Sequence, residues 1–274
     1  MVFPDTDFHL NFSQHEIAIR TVCFMVIFAV VALAEIVAPR RPLTLKRSLR
    51  WFGNLSIHVV NGILPRLLFP ILPVGMAMLW ARNGWGLLRI APLPEAAAFI
   101  LTLLALDLLV YGQHILFHRV RLFWLLHRMH HTDMDLDLTS ALRFHPLEIM
   151  VSLLLKMVAV AVLGPPAAAV LIFEILLNGM AMFTHANLRI PAPADRLLRE
   201  IVVTPDMHRV HHSVLPRELN RNFGFNLSAW DRLFGTYQVQ PQAGHEAMTI
   251  GLTGFRDPGY ARFWKMIMIP LEKR

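Results

Sequence analysis

The sequence predicts an all-α integral membrane protein with about four to five membrane helices, one kinked and one a short hairpin. A cytosolic helical cap is expected to carry clustered histidines. Three observations lead there. First, 55% of the 274 residues are hydrophobic and only 16% charged, with a mean hydropathy of +0.48; soluble domains carry roughly a quarter charged residues. Second, the apolar residues gather in runs on the scale of a bilayer crossing, which takes about 20 residues of helix. Third, ten of the 14 histidines fall between His114 and His212.

The first apolar segment, residues 17–38, is long enough to span. Val31-Ala32-Leu33-Ala34 within it looks like a small-residue cleavage site. The stretch before it, however, carries Asp5, Asp7 and Glu16 rather than a cationic cluster, so the segment reads as a retained helix. Residues 55–81 are interrupted by Pro65, Pro70 and Pro73 and form either a kinked span or a re-entrant pair. Residues 96–117 make a span that ends inside the first histidine group. Residues 149–163 and 166–185, separated only by Gly164-Pro165, read as a tight helical hairpin whose first arm is short for a full crossing. Lys156 and Glu174 lie at matching depth in that hairpin, each about 12 Å of helix rise from the turn. A charge inside a membrane is costly unless partnered, so an ion pair is expected; the alternative is that each faces its own polar cavity.

Arg40, Arg41, Lys46, Arg47 and Arg50 follow the first span and the acidic amino terminus precedes it, so that span runs from outside to cytosol. The later crossings then return every histidine group to the cytosolic face, with a bacterial inner membrane the expected location. Beyond about residue 190 the chain is polar and mixed and should form the cap. The organisation is thus residues 1–95 as membrane helices, 96–240 as a catalytic domain and 241–274 as a tail. The net charge of +7 sits at the ends of apolar segments, which fits anionic lipid and argues against a nucleic-acid partner. Cys23 is the one cysteine, which excludes disulfides and thiolate metal sites.

The histidines fall into His114-x3-His118, His127-x2-His130-His131 and His208-x2-His211-His212, with His145 and His185 between them. Residues i, i+3 and i+4 of a helix share a face, so three converging faces would make an all-nitrogen cage with room for two metal ions. Isolated histidines are usually core or interfacial residues with satisfied hydrogen bonds, and His9, His15, His58 and His245 are read so. A hydrolytic zinc site wants three ligands and a glutamate base, as in HExxH. No such motif occurs, and no GxSxG; ten histidines are also too many for one zinc. A set this large implies two metals, and a redox-active pair at a membrane face suggests oxygen chemistry on lipid. A membrane zinc-binding or hydrolytic protein without oxygen chemistry remains the alternative.

The order HxxxH, HxxHH, HxxHH resembles the membrane-bound fatty acid hydroxylase/sterol desaturase family. Asp107-x3-Tyr111-x2-His114, Ala141-Leu142-Arg143-Phe144-His145-Pro146-Leu147-Glu148, His185-Ala186-Asn187-Leu188 and Thr204-Pro205-x2-His208-Arg209 add to the match. So does Asn222-Phe223-Gly224, followed by Trp230-Asp231-Arg232-Leu233-Phe234-Gly235-Thr236-Tyr237. The likeness covers roughly residues 100–240. It implies a centre of two iron ions that uses O2 to hydroxylate or desaturate a lipid C–H bond. It also implies His114, His118, His127, His130, His131, His208, His211 and His212 as ligands, with His145 and His185 as two more.

Asp107 lies two turns before His114, at a depth where a carboxylate is costly. It is expected to orient a ligand on another helix, with Tyr111 one turn below; both are candidate catalytic residues. Asp206 and Asp231 are similar polar partners, Asp231 equally well a turn cap. Arg119, Arg121, Arg128 and Arg143 flank the histidine groups in positions that suit solvent or headgroups, and Arg143 is the candidate for gripping a lipid headgroup. With no GxGxxG after a strand, no CxxCH and no cysteine set, the electrons must come from a separate donor protein.

Overall fold

The computed structural model describes residues 6–91 and 93–273, with side chains from residue 15 onward; the side chain of His9 therefore lies outside the described residues. Helix α1, Thr6–Val37, contains the first span. Its Val22, Val30, Leu33 and Ile36 are each 61–62% exposed, and only 6% of its most apolar window is buried in protein. An apolar face left open in this way is one that lipid covers.

Next come α2, Arg47–Leu68, and α3, Pro73–Asn83. Between them Pro70 and Pro73 interrupt the backbone donors, and α3 starts with proline in its first turn, where no donor is missed. The proline-rich stretch is thus two helices joined by a break, and the short α4, Leu87–Ile90, follows. Helix α5, Glu95–Arg119, ends at Val120, whose extended backbone turns the chain into α6, Arg121–His131. After a short 3-10 turn, Leu138–Leu142, come α7, Pro146–Leu163, and α8, Ala167–His185. The cap contains α9, Ala192–Leu198; α10, Pro205–His211; α11, Pro216–Leu219; α12, Ala229–Leu233; α13, Gly244–Ala247; and α14, Phe263–Met268. Among the described residues there are isolated bridges, such as Pro39 with Leu188, but no strand.

Five segments are long and apolar enough to cross a membrane: residues 15–37, 47–90, 95–119, 146–163 and 167–185. That suits a multi-pass membrane protein. Helix α8 is the central one, with half of its apolar window buried; it packs against α1, α3 and α5. Val74, Ala77, Val160, Val170 and Leu171 form the apolar joint of α3, α7 and α8.

The hairpin turn is pinned by two glycines. Gly164 has φ +59° and lies so close to Trp85 that a Cβ would stand 2.1 Å from its carbonyl oxygen. Gly86, with φ +108°, crosses it, and its own Cβ would fall 2.4 Å from the Gly164 Cα. Only glycine fits both demands.

The expected intramembrane ion pair is present: Lys156 Nζ donates to Glu174 Oε1 at 2.6 Å. The second Glu174 oxygen accepts from Arg20 Nη2 of α1 at 2.5 Å.

The core around the loop after α6 is polar and holds that loop in place. Arg50 is fully buried, bonding both oxygens of Asp133 at 2.9 Å, the Ser140 hydroxyl at 2.9 Å, and the Asp137 carboxylate. Burial alone would raise the Asp133 pKa. The charge and hydrogen bonds of Arg50 outweigh it and hold Asp133 at about 2.

Arg143 corrects an expectation. It is 1% exposed, donating to Met129 O at 2.9 Å, Thr132 Oγ1 at 2.7 Å and Tyr260 O at 2.7 Å. With Nη1 directed at Asn54 Oδ1 at 3.4 Å, its fork ties the end of α6 to α2 and to Tyr260, so no arm is left for a headgroup.

Candidate metal centre

Nine of the ten expected histidines meet, in two groups. His114, His118, His127, His131 and His211 form one, and His130, His185, His208 and His212 the other; within each group the ligand nitrogens lie within 4.8 Å of one another. The split follows from helix geometry. In His-x2-His-His the first and last imidazoles stand about 40° apart around the axis, while the middle one lies about 60° to the other side. Helix α6 therefore gives His127 and His131 to the first group and His130 to the second. Helix α10, approaching from the other side, gives His208 and His212 to the second group and His211 to the first. The groups adjoin, with the His131 and His212 rings stacked at 4.6 Å.

Four of the imidazoles have a fixed tautomer. His114 Nδ1–H donates to Phe223 O at 2.8 Å, His185 Nδ1–H to Ala181 O at 2.7 Å, and His211 Nδ1–H to Arg221 O at 2.8 Å. His127 Nδ1–H donates to Glu148 Oε1 at 2.6 Å. A carbonyl or carboxylate can only accept, so in these four the Nε2 lone pair is the one turned inward, the arrangement that metal-binding histidines use. Outside the membrane segments, burial and the neighbouring imidazoles push His130, His131, His208 and His212 well below the ordinary value. Burial takes His211 to about 3. All are neutral, the form that binds metal.

The donors fit metal ions better than each other. Nε2 of His185 has both His130 Nε2, at 3.0 Å, and His208 Nε2, at 3.1 Å, beside it. One lone pair cannot accept two linear N–H bonds. Nε2 of His114, His118 and His211 is buried with no hydrogen-bond partner. Buried polar atoms normally have partners. Nitrogens about 2 Å from a shared ion stand roughly 3.0–3.4 Å apart, which matches the observed approaches. All-imidazole sets suit iron, zinc, copper or nickel, and five converging nitrogens exceed the four of a structural zinc site.

His145, expected as a tenth ligand, belongs to neither group. It caps α7, its Nδ1 accepting from Leu147 N–H at 3.2 Å, so the His-Pro pair marks a helix start. Of the histidines read as ordinary, His58 stacks on Phe24 and His245 lies 3.6 Å from Asp206; neither enters a group.

Asp107 and Tyr111, expected as catalytic, do not touch the histidine groups. Asp107 Oδ2 accepts from Trp230 Nε1 at 2.9 Å and Leu227 N–H at 3.2 Å, and Tyr111 hydrogen-bonds Thr236 Oγ1 at 2.8 Å. They brace the segment after the third histidine group. Within it Asp231 accepts the N–H groups of Phe223 and Gly224, both at 2.8 Å, and Phe223 in turn holds His114. Asn222 has φ +52°, a left-handed conformation that asparagine tolerates. It turns the carbonyls on either side of it to His211 and His114. Asp206 pairs with Arg40, Arg209 and, at 3.6 Å, His245, rather than with a clustered histidine.

Sequence reasoning gave no role to Glu148. Its signal was a carboxylate at the start of an apolar helix, three residues after the capping histidine. A cavity of about 530 Å³ runs from His114, His127 and Glu148 between α1, α2, α5, α7 and α8.

The fold and site define a helical protein of membrane character built around two adjoining histidine groups that could hold metal. The chain belongs to the fatty acid hydroxylase family, whose model matches residues 99–236, a stretch that holds all nine clustered histidines. It is 30% identical over 162 residues to an ornithine lipid hydroxylase, OlsE, of Rhizobium tropici, covering 59% of this chain and 47% of that protein. It is 31% identical over 171 residues to an alkylglycerol monooxygenase of Xenopus tropicalis, covering 62% and 36%, and 29% identical over 150 residues to that of Homo sapiens, covering 55% and 32%. The match thus spans between about a third and a half of the length of these relatives. No solved structure matches the chain.

Proposed function

We propose that this protein is a membrane oxygenase that inserts oxygen into, or desaturates, a C–H bond of a lipid, using O2, two histidine-held iron ions and electrons from a separate donor protein. The observation that carries this reading is the meeting of two all-imidazole groups, the first of which opens through His114 and His127 onto a cavity also lined by Phe24, Ile27, Val110 and Leu153. The relatives, named as a lipid hydroxylase and as monooxygenases of alkylglycerol, point the same way. The nine clustered imidazoles would hold the metals. When bound, iron supplies the oxygen activation and electron transfer that no side chain here can perform.

The chain's own residues do the positioning. Leu153, Val110 and Met182 line the route to His114 and His127 and exclude water from an acyl chain. Phe144 stacks on His130 at 4.5 Å and fixes its ring. Glu148 keeps His127 in one tautomer through Oε1, and its Oε2, buried without a partner beside the cavity, is an atom that can take up a proton. The positive residues after α1 support a centre at the cytosolic face, and the membrane is taken to be a bacterial inner membrane. There the basic cap offers an acidic electron donor a surface.

The test is metal analysis of anaerobically purified protein together with comparative lipid mass spectrometry of cells with and without the gene. Two irons per chain and a lipid gaining one oxygen, or losing two hydrogens, are expected. Zinc in place of iron with an unchanged lipid profile would overturn the reading.

A further inference from the structure

The cavity has a second polar end. Along α7, Lys156 lies eight residues from Glu148, and along α8 Glu174 lies eight from Met182; each separation is about 12 Å of helix. All four residues line the cavity, as does Arg20. One end is therefore the histidine centre, the other a charged group, and the stretch between them is mainly apolar. At the charged end the acceptors are used up. Both oxygens of Glu174 are taken, by Lys156 and Arg20, and Arg20 Nε is taken by Glu16 at 2.8 Å. The donors are not. Among the described residues Lys156 Nζ uses one of its three N–H bonds, and Arg20 Nη1 has no partner. Arg66, also on the wall, bonds only the Gly62 carbonyl, at 2.5 Å. Lys156 and Arg20 are 14% and 21% exposed, although both lie within membrane-crossing segments. A charge at such depth needs a partner or an aqueous path.

We propose that this end of the cavity binds the anionic group, carboxylate or phosphate, of an amphiphile whose hydrocarbon chain reaches the histidine centre. The site rests on the oxygenase reading for its purpose but not for its chemistry. An extended chain of about 1.5 Å bonds advances roughly 1.3 Å per carbon, so the roughly 12 Å of helix between Lys156 and Glu148 corresponds to about nine or ten carbons, and a chain reaching the histidines is at least of that order.

The test uses the full chain in nanodiscs and a homologous series of straight-chain carboxylates, alkyl phosphates and matching alcohols. Each competes with a fluorescent fatty acid, and thermal melts are recorded alongside. A charge-assisted hydrogen bond is worth more than a neutral one, so the anions should bind about tenfold more tightly than alcohols of equal length. Lys156→Gln leaves two carboxylates against Arg20 and should abolish that preference. Glu174→Gln leaves two cations against Glu16 and should increase it. Opposite responses are the signature of a ligand site, because the two halves of a purely structural pair would weaken binding in the same direction. Loss of preference without change in the melt for Lys156→Gln would support the site even if Glu174→Gln folds poorly. Carboxylates outbinding phosphates would assign a free fatty acid, and the reverse a phosphorylated lipid. Alcohols binding as tightly as anions, or parallel losses in both variants, would overturn the proposal. Oxidised lipid without anion preference sinks this site and leaves the oxygenase reading standing. Anion preference without oxidised lipid does the opposite.

Discussion

Glu148→Gln separates the two histidine groups. The carboxylate sits 2.6 Å from His127 Nδ1, with side chains 4% and 2% exposed, so its charge is little screened by water. Glutamine keeps the shape and an accepting oxygen but removes the negative charge that faces the His127 ring. Losing a partner of this kind typically costs about 10- to 100-fold in metal affinity, or about 1.4 to 2.7 kcal/mol. The cost should fall on one ion only, because none of His130, His185, His208 and His212 hydrogen-bonds Glu148. Chelator titration followed by elemental analysis should show one metal released at lower chelator concentration and the other unmoved. Unchanged affinity for both ions, or equal weakening of both, would refute the argument that Glu148 acts through His127.

His145→Ala should keep both metals and cost about 1 kcal/mol as a lost helix cap; metal loss would restore it as a ligand. Arg50→Met leaves the Asp133 and Asp137 carboxylates buried without their cation and should cost about 3–5 kcal/mol, read as a lower melting temperature in detergent, with Arg50→Lys recovering part. Gly164→Ala meets both a left-handed φ and a carbonyl 2.1 Å from the new Cβ. Gly84→Ala, at φ +67° with open space around it, costs only the backbone penalty of about 1–2 kcal/mol. If the two variants melt alike, the crossing with Trp85 is not tight.

The spans, the hairpin and its Lys156–Glu174 pair were legible because bilayer thickness and the cost of an intramembrane charge act on sequence directly. So were the eight histidines of the three motifs, since spacing fixes which imidazoles share a helix face, whereas His185 came only from the family resemblance. The sequence could not show how α6 and α10 face each other, and so which imidazole joins which group; that depends on packing between helices. It misjudged Arg143, Asp107 and Tyr111 for one reason. A polar residue beside a histidine motif can serve the centre or the backbone that carries it, and only burial and partners tell these apart. His145 shows the same ambiguity within one imidazole, since capping and metal binding both use a ring nitrogen lone pair.

Arg143 donates to the Tyr260 carbonyl, and Arg128, one residue after His127, donates to those of Ile269 and Glu272. These acceptors lie more than 110 positions after the histidines they steady. During vectorial synthesis α6 therefore reaches the membrane face without its bracing, and a much later stretch of chain locks it afterwards. A protein halted after the third histidine group would possess every candidate ligand and still lack the clamp that aligns the second.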